Sequence, residues 1–211
     1  MAQGLPAHNR LQVVSLDLLQ EPRTRILFIF FDGVGLAPSG PDNPLSQVSM
    51  PHLGELLGGP LVLPTAQGGL EDGWSHAILA NNGLVLRALD ACLGVPGLPQ
   101  SATGQTALFT GVNAPALVGD HFTAFPTQRL RDVIADQSVM KQVADTGGKV
   151  LFANAHSERF WEMIRKRERR LGASTLTALA ADVPIPTLDD LAEGRAVLWD
   201  FTHELLSLIH I

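Results

Sequence analysis

The chain has 211 residues, 45% of them hydrophobic and 17% charged, which is enough for one sizeable core or two small ones. A net charge of −6 argues against a nucleic-acid surface, which needs a basic stripe, and no run approaches the ~20 apolar residues that cross a bilayer. Cys92 is the single cysteine, so a disulfide framework and a cysteine-based zinc site are excluded, and a reducing, cytoplasmic setting is expected.

Residues 1–24 read as a poorly structured polar leader. Gln12, Ser15 and Asp17 interrupt its apolar stretch, and no small-residue cleavage site follows. Ile26 to Phe31 reads as a buried strand ending at Asp32, Gly33 and Gly35. After a Gly/Pro/Asn loop, Met50 to Leu57 is a short helix, with Ser49 expected as N-cap, Pro51 in the first turn and Gly58–Gly59 as the stop. Pro60 to Trp74 is expected to be irregular, with a short strand at Leu61 to Leu63. Leu84 to Leu93 fits strand or helix equally.

Ala102 to Thr110 is predicted helical, behind a Pro/Gly loop. Pro126 to Ala135 carries Leu130, Val133 and Ile134 at helical spacing, and Ser138 to Asp145 continues as a second helix, stopped by Gly147–Gly148. Lys149 to Ala153 is predicted to be a strand. Ser157 to Arg170 is predicted to be one helix, whose basic run from Arg165 to Arg170 forms a solvated outer face. Ser174 to Ala181 is a further helix with Ser174 as cap. Pro184 to Pro186 breaks the chain, and Ala196 to Phe201 is a last strand. Alternating strand and helix signals predict an α/β fold. The residues Leu206 to Ile211 match, codon for codon, a translation of a sequencing-library adapter. They are expected to be an artefact, with the authentic sequence stopping near Leu205 and the gene continuing.

Two residues carry the chemistry. Asp32 stands at the tip of an apolar strand, where ligands gather in parallel α/β sheets, and a hard carboxylate there suits a divalent cation. Phe30 in place of a second aspartate disfavours a haloacid-dehalogenase-type site, and Pro38 in place of a third glycine disfavours a dinucleotide site. Ser101 heads a helix whose backbone N–H groups would hold a phosphate, with Thr103 and Gly104 bringing that backbone close. A hydroxyl needs a base or a metal to become a nucleophile. Pro99 and Thr103 flank it where a hydrolase elbow has glycines.

The strand ending in Asp32–Gly33–Val34–Gly35 and the segment Gln100–Ser101–Ala102–Thr103–Gly104–Gln105 together resemble the alkaline phosphatase superfamily, in its cofactor-independent phosphoglycerate mutase and phosphopentomutase branch. Gln100 and Gln105 depart from that pattern, which has Asn or Asp and His there. The resemblance implies a three-layer α/β sandwich with a mostly parallel central sheet, incomplete at the C-terminus. Residues 25–205 would be the N-terminal part of the catalytic domain, with an inserted cap possible after 157.

It further implies Ser101 as catalytic nucleophile, Asp32 and Ser101 as metal ligands, and two divalent ions, Mn²⁺ or Zn²⁺, in the intact protein. Asn154 and His156 would face a small phosphorylated substrate alongside Thr103 and Gly104. The function implied is a metal-dependent phosphatase or phosphomutase acting through a phosphoserine. The later Asp and His ligands of that family have no counterpart in this chain. Two alternatives stand beside it: a metal-free serine hydrolase with His121 or His156 as base, and a non-catalytic domain. No nucleic-acid or membrane partner is expected.

Overall fold

The computed structural model describes residues 25–62, 78–81 and 84–198. The chain divides into two compact units, Met1–Val34 and Gly35–Ile211. In the first, Ile26 to Phe31 is extended but joins no strand ladder among the described residues, and its six apolar side chains are largely exposed, Ile26 at 86% and Leu27 at 84%.

The second unit is helical. A 3-10 turn at Pro44–Ser46 precedes α1 (Pro51–Leu57), β1 (Ile78–Asn81), β2 (Leu84–Arg87), α2 (Ser101–Thr110), α3 (Ala114–Val118), α4 (Gln128–Gln137), α5 (Val139–Asp145), α6 (Glu158–Arg165), α7 (Ala173–Ala180) and α8 (Leu188–Ala192). β1 and β2 form an antiparallel pair, Ile78 opposite Arg87 and Asn81 opposite Leu84. Beyond this pair the described residues hold one isolated parallel bridge, Asn154 to Val197.

The α/β three-layer sandwich with a parallel central sheet is therefore corrected to a helical assembly, and the alkaline-phosphatase resemblance is not carried by the fold. The physical reason is that a parallel ladder needs neighbours brought together by crossovers. Ile26 to Phe31 has no such neighbour among the described residues, and Lys149 to Ala153 is extended without a ladder of its own. Leu61 and Val62 form a bend, not the short strand expected at Leu61 to Leu63; the leader 1–24, Leu63, most of Pro60 to Trp74, the end of the strand predicted at Ala196 to Phe201, and the tail 206–211 lie outside the described residues.

Helix boundaries follow local chemistry. Thr127 caps α4 by accepting from Leu130 N, Ser138 caps α5 through Lys141 N, and Ser157 caps α6 through Phe160 N. α8 carries a full capping box between Thr187 and Asp190. Two predicted caps move: α1 starts behind Met50 rather than Ser49, and α7 starts behind Gly172, with Ser174 already inside. The helix predicted over Ser157 to Arg170 stops at Arg165. There Glu168 N donates to Met163 O and Arg167 N to Ile164 O, the paired bonds of a Schellman stop.

The core has two centres joined by α7. Phe109, Ile134 and Ala173 bring α2, α4 and α7 together, with Leu176 packed against them. Phe152, Ala178 and Val183 form the other, flanked by Met140, Val150 and Ile185. The buried hydroxyls on these helices are satisfied locally: Thr106 Oγ1 donates to Ala102 O at 2.6 Å and Thr177 Oγ1 to Ala173 O at 2.9 Å.

Candidate functional site

Ser101 is the first residue of α2 and is half-buried. Gln100 precedes it in extended conformation and provides no side-chain cap. The capping role passes to a distant carbonyl: Phe122 O accepts from Ala102 N at 3.1 Å and from Thr103 N at 3.4 Å. Thr103, fully buried, completes the clasp. Its Oγ1 donates to Gln100 O at 3.2 Å and accepts from Phe122 N at 3.3 Å. Gly104 N donates to Gln100 O at 2.8 Å. The N–H groups that would have cradled a phosphate are thus engaged by the chain itself.

Gly104 has no conformational or steric need to be glycine, since a Cβ there would meet no heavy atom within 4 Å. The loop before α2 is tied to the segment after it. Asn113 Nδ2 donates to Leu93 O at 2.9 Å, and His121 Nε2 pairs with Val95 O at 3.1 Å.

His156 is buried in the second unit on the extended stretch that precedes α6. Its Nε2 pairs with Thr175 Oγ1 on α7 at 3.1 Å, and its buried Nδ1 has no hydrogen-bond partner among the described residues. The ring stacks on Phe160 at 4.1 Å and meets Trp161 edge-on at 5.8 Å. Burial, and secondarily the Arg169 guanidinium, push its pKa down to about 4, so the imidazole is neutral at pH 7. Asn154 is half-buried and carries the parallel bridge to Val197.

The predicted residues are therefore distributed as follows. Ser101, Thr103 and Gly104 share the first turn of α2, while Asn154 and His156 belong to the stretch held by α6 and α7. Asp32 belongs to the first unit and Ser101 to the second. Among the described residues neither His121 nor His156 is hydrogen-bonded to Ser101.

Among the described residues no group of three or more His, Cys, Asp or Glu side chains could hold a metal ion. The two-metal centre, and the metal-dependent phosphatase or phosphomutase mechanism built on it, are corrected accordingly: a dinuclear centre needs several converging carboxylate and imidazole ligands. Among the described residues no helix is long and apolar enough to cross a membrane.

Sequence reasoning passed over a different cluster. An open cleft of ≈ 360 Å³ is lined by Arg131 of α4, Ile164 of α6, and Arg167, Arg169, Arg170 and Leu171 of the connector to α7. The Arg170 guanidinium lies 5.2 Å from the Phe125 ring centre and that of Arg169 5.2 Å from Phe160. The sequence signal was present in the run Arg165 to Arg170. The run, expected on the solvated outer face of one helix, instead leaves the helix at Arg165, and Arg167, Arg169 and Arg170 line this cleft. Searches against protein-family models, curated proteins and solved structures match this chain to none of them.

Proposed function

We propose that this chain is a non-catalytic helical domain. The observation that carries this reading is the clasp at Ser101. The Phe122 carbonyl takes the Ala102 and Thr103 N–H groups, the positions from which a helix N-terminus would hold a phosphate or an oxyanion. The two histidines expected as candidate bases have other partners: His121 Nε2 pairs with the Val95 carbonyl and His156 Nε2 with Thr175 Oγ1. The net charge of −6 argues against a nucleic-acid partner, and the lone Cys92 supports a cytoplasmic setting.

The test is labelling of the full chain with a fluorophosphonate probe, in parallel with Ser101→Ala. The expected outcome is no covalent adduct on either protein by intact mass. An adduct on the parent chain that disappears in Ser101→Ala would establish an activated serine and overturn the reading in favour of a metal-free serine hydrolase.

A further inference from the structure

The apolar run of the first unit stays exposed although nothing in its composition suits it to water. We propose that two copies of this chain pair through Ile26 to Phe31 as a two-stranded antiparallel ribbon centred on Ile29.

The run is six residues long, the usual length of a strand, and every residue in it is Ile, Leu or Phe. Its side chains are exposed to between 38% for Phe30 and 86% for Ile26, and it joins no strand ladder among the described residues. Natural edge strands are guarded by a charge, a proline or a bulge within the strand. No charge or proline interrupts this one. The charges stand at its two ends, Arg25 before it and Asp32 after it, and both residues are exposed.

Those end charges set the direction of pairing. Parallel, in-register copies would bring Arg25 beside Arg25 and Asp32 beside Asp32, whereas antiparallel copies bring each arginine to the other copy's aspartate. An ionised carboxylate accepts several bonds at once, so Asp32 can take that guanidinium alongside its contacts in its own chain. The register follows from the two-fold axis, which sets one residue opposite itself. Centring on Ile29 sets Phe28 opposite Phe30 twice, at the non-hydrogen-bonded positions where side chains come closest, and gathers four rings on one face. The hydrogen-bonded positions are then Ile29 with itself and Leu27 with Phe31, about six bonds in all, so the backbone of Phe28 is not called on. Arg25 falls opposite Gly33, which has no side chain in its way, one place from Asp32.

The test is sedimentation equilibrium of the full chain across concentration. An interface this small is a weak one, so a monomer–dimer equilibrium with half-association at roughly 10–100 μM is expected. Ile29→Lys, which sets two ammonium groups face to face at the axis, is expected to abolish it. Arg25→Asp and Asp32→Arg are each expected to weaken it roughly tenfold, and the double exchange to restore it to within about twofold, which a merely sticky surface would not do. In a Cys92→Ser background, oxidation is expected to link copies of Ile29→Cys and not of Phe31→Cys, whose thiols would stand roughly 13 Å apart along the strands.

A monomer throughout that concentration range overturns the proposal. Association that ignores both charge reversals, or that the double exchange fails to restore, overturns it in favour of unspecific apolar contact. Copies of Phe31→Cys that link as readily as those of Ile29→Cys overturn the register centred on Ile29.

Discussion

Ile26 to Phe31 is an unbroken apolar run, whereas α4 alternates charged and apolar residues, yet it is α4 that builds the core. Leu130 and Ile134 of α4 are 0% and 1% exposed, while the run in the first unit keeps most of its surface in water. A helix satisfies its backbone within itself and can offer one apolar stripe to its neighbours. An extended segment that enters the core must have its backbone groups paired by a neighbour, and without one it leaves them to water at the surface.

The stretch Val150 to His156 lies between these cases. It is extended, but Phe152, Ala155 and His156 are buried, while Leu151 stays 90% exposed. α7 covers one of its faces, and its backbone is tied down by Ala155 N to Val197 O and His156 N to Pro186 O, each at 2.9 Å.

The largest expected effect contrasts the two extremes directly. Ile134→Ala should cost about 3 kcal/mol, a value typical of deleting a fully buried aliphatic side chain. Ile26→Thr should change stability by less than about 0.5 kcal/mol, as at an exposed site. Urea unfolding of both variants checks this, and equal losses would break the comparison.

The intermediate stretch responds to pH. His156 is held below its ordinary value, at about 4, so the unfolded chain binds a proton that the folded chain refuses between that value and about 6.5. Stability contributed by the neutral ring is therefore fully present above the unfolded value. It falls as pH drops through this window, by about 3 kcal/mol in all. Urea unfolding at pH 7.5 and 4.5 should show this loss in the parent chain and a smaller one in His156→Gln. Equal losses would remove the imidazole from the account.

A smaller effect tests the self-sufficiency of the helices. Ser138→Ala removes the cap of α5 and should cost about 1 kcal/mol, read as a lower urea midpoint at unchanged slope. The smallest effect has the opposite sign. Gly104 sits in α2 with open space where a Cβ would go, so Gly104→Ala should stabilise by roughly 0.5–1 kcal/mol. A lower Tm for that variant would show that the first turn of α2 needs the backbone room a glycine leaves.

What the sequence determined by itself is local. Ser138 and Ser157 stand at the expected starts of α5 and α6, and Gly58 ends α1 in left-handed conformation as expected, because caps and stops act over three or four residues. Leu130 and Ile134 were legible as core from their spacing.

What only the tertiary structure decided is which distant groups meet. Whether Ile26 to Phe31 finds a ladder depends on segments far along the chain. The engagement of the Ser101 turn depends on Phe122, about twenty residues away and without any marker in the intervening sequence. The arginine cleft arises because α6 ends at Arg165 and Arg167 turns left-handed. That brings the run 167–170 beside Arg131 of α4, a proximity that no local pattern encodes.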